Sequence, residues 1–467
     1  MLLIYGKEVC PVSSQKQGTL IRNMTSGPLA RQILLFSLPL AGANLLQALY
    51  TMVDLWVVGQ FASSAAISAV SISGQIVFLL HAAGMGLGNG GSVLIAQQVG
   101  AKDYQQLNRT IGTMLSTCTL ASVVIALVGA LGSSLWLDLL NTPADALGQA
   151  SQYLFICCLG VPFVYVGGTL CAILRGIGDS RAPMYTLGLS AVVNMVLDYL
   201  FVAVFHWGAA GAAWATVIAQ VVSAIYALVF IYRRREQLGF DFKPSSFKID
   251  RETNTLLWKL GTPLIITQAA ITISMLVVVS FINVYGIPAS SATGIGSKLC
   301  SLSGVVTMSI QTAISSIAAQ NFAADELGRV RRSVHIGLTV CLIFFVFLGT
   351  AVLLFPTQIF RVFTSDPEVL ALAVPYLRTF FVLASAFALM APYLGLVTAV
   401  GNNRLNLIIA LLDGVVARIG LAWLLGDVLG YGLEGYWWGY AASSYVSVFM
   451  GAAYFYFGGW PKRQKLV

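Results

Sequence analysis

Three carboxylates sit where a carboxylate is costly. Asp54, Asp198 and Asp413 each lie inside a long apolar run. A charged side chain at mid-bilayer costs about 2.5–3.5 kcal/mol on insertion scales, so such an acid is a candidate functional group by default. Two of the three have a polar companion one helical turn away. Tyr50 precedes Asp54 by four residues and Asn194 precedes Asp198 by four. An i, i+4 pair shares a helix face. Tyr donates to a carboxylate, and the Asn amide donates or accepts. Asp54 lies seven residues before the end of its run at Phe61, Asp198 seven before Phe205, and Thr216 seven into the next run from Ala209. At 1.5 Å per residue all three reach about 10 Å below the same edge. Shared depth points to one cluster of Tyr50, Asp54, Asn194, Asp198 and Thr216. Two carboxylates in a low dielectric cannot both stay ionised without a counter-ion. The chemistry is therefore a shared proton or a dehydrated cation, with Na⁺ held by Asp54, Asp198 and Asn194. The alternative is a polar cluster that only glues helices together.

The second half of the chain carries different groups. Lys298 and Arg378 lie seven and nine residues in from the outer ends of their runs. Asp413 and Arg418 are five apart, a poor pairing distance on an α-helix, so each is expected to contact other spans. These four suit a structural or gating role better than ion coupling. Lys298 and Arg378 would either repel a cationic substrate from one wall or accept an anionic one.

The elements that must position these groups are membrane helices. Charged residues are 9% and hydrophobic residues 58% of the 467, against about 25% charged in an ordinary soluble protein. A span needs roughly 20 apolar residues. Twelve runs qualify, near 33–61, 66–99, 110–140, 149–175, 182–205, 209–233, 256–285, 291–321, 333–363, 369–400, 405–429 and 433–457. Of the 26 Lys and Arg, 22 fall before the first run, after the last, or in every second loop. The other four are Lys298, Arg361, Arg378 and Arg418. That alternation is the positive-inside pattern and predicts both termini on the cytoplasmic side. The net charge of +8 forms no continuous patch, which argues against a nucleic-acid partner. Cys118, Cys157, Cys158, Cys171, Cys300 and Cys341 lie in apolar runs and Cys10 in the leader; without metal-ligand spacing, the six in runs read as small apolar residues. The expected organisation is a cytoplasmic segment 1–32, spans 1–6 over 33–233, a linker 234–255, spans 7–12 over 256–457 and a tail 458–467. No cleaved signal peptide is expected, because Lys7 and Glu8 interrupt the only short apolar stretch. Residues 1–23 differ in character from the rest of the chain, and Met24 opens the lead-in to span 1, so 1–23 read either as leader or as a mis-called start.

The two sets of six repeat one another. Pro39 matches Pro263 at a spacing of 224, and Ala96-Gln97 matches Ala319-Gln320 at 223. Tyr153-Leu154 matches Tyr376-Leu377, and Gly178 and Arg181 match Gly401 and Arg404, all at 223. Gly211 and Trp214 match Gly435 and Trp438 at 224. A register held within one residue along a whole half marks a duplication. Six spans per copy gives both copies the same orientation, hence a pseudo-two-fold along the membrane normal and a path between the lobes. The acids are not duplicated: Asp54 maps to Val278 and Asp198 to Leu421. Pro39 and Pro392 each remove a helical hydrogen bond, and a bend at Pro39 would move Tyr50 and Asp54. Gly84, Gly86, Gly88, Gly90 and Gly91 in span 2 serve either bending or close packing.

These features together resemble the multidrug and toxic compound extrusion (MATE) family over nearly all of residues 24–460. The match includes the Pro of span 1, the segment AQQVGAKD at Ala96–Asp103 and the segment LRGIGDSRAP at Leu174–Pro183. The resemblance implies two six-helix lobes and, within the family, the DinF-like and archaeal branch. By that likeness the ion-coupling residues are Tyr50, Asp54, Asn194, Asp198 and Thr216, and Pro39 is the hinge. The NorM-like branch also uses acids in the C-terminal lobe; spans 7 and 8 hold none here. The implied activity is efflux of amphipathic organic cations in exchange for H⁺ or Na⁺ by alternating access, from the plasma membrane of a prokaryote. Its 18 Tyr, 25 Phe and 9 Trp suit such cations, although interfacial belts account for most of them.

Two other readings compete. A flippase for lipid-linked or anionic lipid substrates would place more cations along the cavity, and Lys298, Arg378 and Arg418 bear on that. A membrane enzyme would need an acid–base constellation, but His81, His206 and His335 form none with a carboxylate. No phosphate-binding Gly-Lys motif opens a helix, so no ATP-binding subunit and no cofactor beyond the coupling ion is expected.

Overall fold

In the computed structural model, residues 20–140 and 142–466 are described; most of the leader 1–23, including Cys10, lies outside them. Twelve helical spans are present among the described residues. They are α1 (Leu29–Phe61), α2 (Ser64–Ala101), α3 (Tyr104–Leu131), α4 (Ala144–Gly176), α5 (Arg181–Val204) and α6 (Gly208–Arg233), then α7 (Arg251–Asn283), α8 (Ile287–Ala323), α9 (Leu327–Leu354), α10 (Ala373–Ala399), α11 (Asn403–Val428) and α12 (Gly432–Phe457). Eleven are long and apolar enough to cross a membrane as single helices. The twelfth is two segments, Gly432–Ser443 and Tyr445–Phe457, separated at Ser444. Helices satisfy their own backbone groups, which is why they can run through hydrocarbon.

The linker is shorter than the polar stretch suggests, because α7 starts at Arg251. Asp250 caps it, accepting from the Thr253 backbone N–H at 2.9 Å and the Thr253 hydroxyl at 2.7 Å. Those two bonds hold the Asp250 carboxyl below the usual carboxylate range. A carboxyl depressed in the folded state adds stability above its unfolded pKa and loses it as pH falls through the folded value. Replacing Asp250 by Ala is expected to cost about 1 kcal/mol. A lower melting temperature at neutral pH, with the gap closing in acid, would show it; an unchanged melting temperature would remove the cap from the account.

The duplication is written into the backbone as well as the side chains. Residues at positive φ recur at the same spacing: Lys102 and Asp325, Gly178 and Gly401, His206 and Gly430, Gly208 and Gly432. Each marks the turn leaving or entering a span, where the left-handed conformation ends one helix before the next begins.

Packing is uneven along the membrane normal. One apolar cluster joins Ile33, Phe36 and Leu40 of α1 and Ala96 of α2 to Ile314, Phe322, Val330 and Leu396 of the second half. Another joins the first half to Leu257 and Leu260 of α7. Both lie toward the face that carries the basic loops. Toward the opposite face each half has its own core: Val57, Val58, Leu154 and Val202 in the first, Val278, Phe360, Phe380 and Trp437 in the second. The halves are closed at the basic face and separate at the other.

The segments before the first span and after the last reinforce that closure. The Met24 backbone N–H donates to Gln320 Oε1 at 2.9 Å, and that of Leu466 donates to Gln97 Oε1 at 2.9 Å. Gln97 and Gln320 are repeat equivalents, so each half offers the same amide to a segment anchored on the other side. Arg22 N–H donates to the Ile177 carbonyl at 2.8 Å, and Arg463 Nε to the Val400 carbonyl at 3.0 Å.

Span 2 glycines are packing sites. A methyl on Gly86 or Gly90 would meet α7, at Ile265 and Leu260; on Gly84 it would meet Tyr165, and on Gly91 Met114. α2 therefore lies against α7 across the line between halves at near-backbone distance. α1 runs as a helix through Pro39 without a break.

Candidate functional site

α1, α5 and α6 converge where the sequence places its cluster. The Asp54 and Asp198 carboxyls face each other. Tyr50 and Thr216 face each other in the same cluster, and Asn194 Nδ2 donates to Thr216 Oγ1 at 3.4 Å. Asn194 and Asp198 are 1% and 0% exposed. All five residues of the expected cluster are thus brought together, and spacing explains why. Four residues separate each companion from its acid, and the equal depth of the three spans does the rest.

Helix α5 changes form at this point. Arg181–Asp198 is α-helical, and Tyr199–Val204 is a π-helical turn. π turns widen a helix locally and recur at functional sites.

The electrostatics of the pair are unfinished. Asp54 Oδ1, Asp198 Oδ1 and Oδ2, and Asn194 Oδ1 are buried without a hydrogen-bond donor. Among the described residues no Lys or Arg pairs with either acid. Two facing carboxylates are both acceptors, so neither satisfies the other. A proton between them turns the contact into a hydrogen bond. A small monovalent cation, ringed by carboxyl and amide oxygens, would serve equally. Burying such oxygens with neither is strongly unfavourable. No cluster of three or more His, Cys, Asp or Glu suited to a metal ion occurs among the described residues.

Tyr153 of α4 also belongs to this site, although its place in the sequence does not single it out. It is buried, lies beside Cys157 one turn on, and is within electrostatic reach of Tyr50 and Asp54. Its repeat equivalent Tyr376 instead lies beside Cys300 of α8, since the position equivalent to Cys157 is Phe380. The repeated Tyr-Leu pair is the available signal, but a tyrosine in an apolar run reads equally as belt or core. The six described cysteines are free.

The second-half groups divide. Lys298 and Arg378 are exposed, and neither has a hydrogen-bond or ion-pair partner among the described residues. Asp413 and Arg418 overturn the expectation that five residues is too far to pair. Residues Leu412–Ala417 form a π-helical turn, whose i→i+5 bonding brings the two onto one face, 3.7 Å apart. Both line a cavity of about 400 Å³ between the halves, bounded by α2, α7, α8 and α10–α12.

Comparison with known proteins agrees with this architecture. The MatE family model matches twice, over residues 39–200 and 263–424, one match per half. The chain is 30% identical over 443 residues to the probable multidrug resistance protein YoeA of Bacillus subtilis, covering 93% of this chain and 95% of that one. It is 25% identical over 415 residues to the multidrug export protein MepA of Staphylococcus haemolyticus, covering 89% and 90%. Its backbone matches a solved multidrug resistance MATE family transporter in the outward-facing conformation, with a TM-score of 0.88, 20% identity and coverage of 95% and 98%. Twelve spans in two matching halves, with a family match on each, make this chain a multi-pass membrane protein of the MatE family.

Proposed function

We propose that the protein is a secondary active antiporter that exports amphipathic organic cations in exchange for H⁺ or Na⁺ bound at Asp54 and Asp198. The observation that carries the reading is the facing pair of buried carboxyls with no resident counter-charge. Such a pair demands a mobile positive ion, and an ion that must come and go is a coupling ion. The positive-inside pattern makes the basic face cytoplasmic, in the plasma membrane of a prokaryote, with both ends of the chain inside. Closure at that face makes the observed state outward-open.

Binding of the ion in this state alters α1, whose Tyr50 and Asp54 are part of the site and whose Pro39 is the proposed hinge. Drug affinity falls and the substrate leaves outward. The halves then close outside and open inside, where the ion is lost and drug reloads. Coupling requires only that ion and drug favour different conformations. The proposed coupling acids are in the first half, and no acid lies in the apolar runs 256–285 and 291–321 of spans 7 and 8, which supports the DinF-like and archaeal branch. Among the described residues, Arg418 is the one Lys or Arg lining the cavity between the halves, and Asp413 offsets it. That favours drug efflux over a flippase for lipid phosphates.

The test is reconstitution in liposomes with tetraphenylphosphonium as the cation, under an imposed pH gradient and then a Na⁺ gradient. Uphill export driven by one gradient names the ion and supports antiport. No uphill export under either gradient overturns the reading.

A further inference from the structure

Helix α11 departs from its repeat partner in one place. Both α5 and α11 carry a π-helical turn near the end, Tyr199–Val204 and Leu424–Val428. The second turn in α11, Leu412–Ala417, falls where the equivalent residues of α5 are α-helical. It exists in one half only, and it positions Asp413 and Arg418.

The pair it creates is incomplete. Both side chains are more than nine-tenths buried, at 9% and 7% exposure, and the nitrogen–oxygen separation of 3.7 Å is too long for a hydrogen bond. Each group is held by something else. Asp413 Oδ2 accepts from the Ser447 hydroxyl. Arg418 Nη1 donates to Ser274 Oγ at 3.3 Å, and its guanidinium carbon lies 4.8 Å from the centre of the Tyr440 ring. Asp413 Oδ1 and Arg418 Nε have no hydrogen-bond partner. An acceptor and a donor without hydrogen bonds, on side chains of opposite charge, therefore belong to two residues that line the cavity between the halves.

Charge balance decides what fits there. A simple cation would pair with Asp413 and leave Arg418 buried and alone; a simple anion would strand Asp413. Leaving one partner of a buried pair uncompensated is strongly unfavourable. A molecule bearing both charges replaces one long contact with two matched ones at no change in net charge. The free Nε beside an Nη nitrogen offers a carboxylate the planar fork that arginine presents best. Met85, Met308 and Phe387 line the same cavity and supply an apolar surface for the rest of the ligand.

We propose that Asp413 and Arg418 form a binding site for zwitterionic amphipathic molecules, the ligand's carboxylate on Arg418 and its ammonium on Asp413. This rests on the reading of the cavity as the substrate chamber and adds to it the charge pattern of a preferred substrate.

The probes are Nε-dansyl-lysine, an aromatic zwitterion, and its methyl ester, the same body carrying only the ammonium. Binding is measured by dansyl fluorescence on the full chain in lipid nanodiscs. The acid is expected to bind about tenfold more tightly than the ester. Arg418→Gln should reverse the order, because Asp413 is left facing the cavity and favours the cation. Asp413→Asn with Arg418→Gln leaves no stranded charge, keeps the fold testable, and should erase the difference. Equal affinities in the wild type, or a preference that survives in the double variant, overturns the proposal. Tetraphenylphosphonium export is followed in parallel. If export is intact while acid and ester bind alike, the site fails and the antiport reading stands; if export is absent while the acid preference follows Arg418, the antiport reading fails and the site stands.

Discussion

Asp198→Asn is expected to insert and fold as the wild type does, yet to lose gradient-driven export. The substitution keeps the shape of the side chain and replaces one orphaned oxygen with an amide that donates to Asp54. The carboxyl–amide contact then resembles the pair with its proton already in place. The site is held in its occupied form whatever the medium contains. In the wild type, apparent drug affinity should change between mildly alkaline and mildly acidic medium, or with Na⁺. A coupling energy of about 1–3 kcal/mol corresponds to a 5–150-fold change. In Asp198→Asn that change should vanish, and downhill movement of drug should persist without uphill transport. Asp54→Asn should behave alike, and the double variant should be little worse than either single one, because residues that act as a unit are not additive. Uphill export retained in Asp198→Asn would leave the family assignment standing and remove the coupling ion from this pair.

That pair was legible in the sequence because everything it needs is local. The i, i+4 companions fix which face each acid is on, and the run boundaries fix depth. The spans followed from hydropathy. The duplication was legible because Gly178 and Gly401, or Gln97 and Gln320, keep their spacing over half the chain. Their contacts were not: Gln320 accepts from the Met24 backbone and Gln97 from that of Leu466, and nothing near either glutamine announces a partner more than 290 residues away. The Asp413–Arg418 contact escaped the sequence for a different reason. A five-residue spacing faces apart on an α-helix and together on a π turn, and the i→i+5 pattern of Leu412–Ala417 depends on packing against neighbouring spans rather than on propensity. Tyr153 was hidden by its type, since one more aromatic in an apolar run carries no positional information. The break at Ser444 was hidden as well, because no Gly or Pro marks it.

Gly100→Ala is expected to damage transport without touching either charged site. Gly100 lies near the end of α2 at the basic face, and a methyl built there would overlap the backbone carbonyl of Gln320 on α8. Backbone cannot swing aside as a side-chain tip can. The clash exists only while the halves are closed at that face, so its energy falls on one conformer and not on the fold. Overpacking of this kind costs about 1–3 kcal/mol, which at about 1.4 kcal/mol per tenfold shifts the equilibrium 5–150-fold toward the form open at the basic face. Spin labels at the exposed positions Tyr104 and Arg332, one in each half, should report a longer separation than in the same labelled protein with Gly100 intact. Drug export should fall with it, because a transporter held at one end of its cycle cannot turn over. Gly168→Ala is the control: a methyl there meets nothing within 4 Å, so distance and export should be unchanged. The same separation in Gly100→Ala as in the unsubstituted protein would mean that α2 and α8 slide past the added methyl, and that the seal at the basic face is carried by the apolar clusters and the segments before the first span and after the last, without the close approach of these helices.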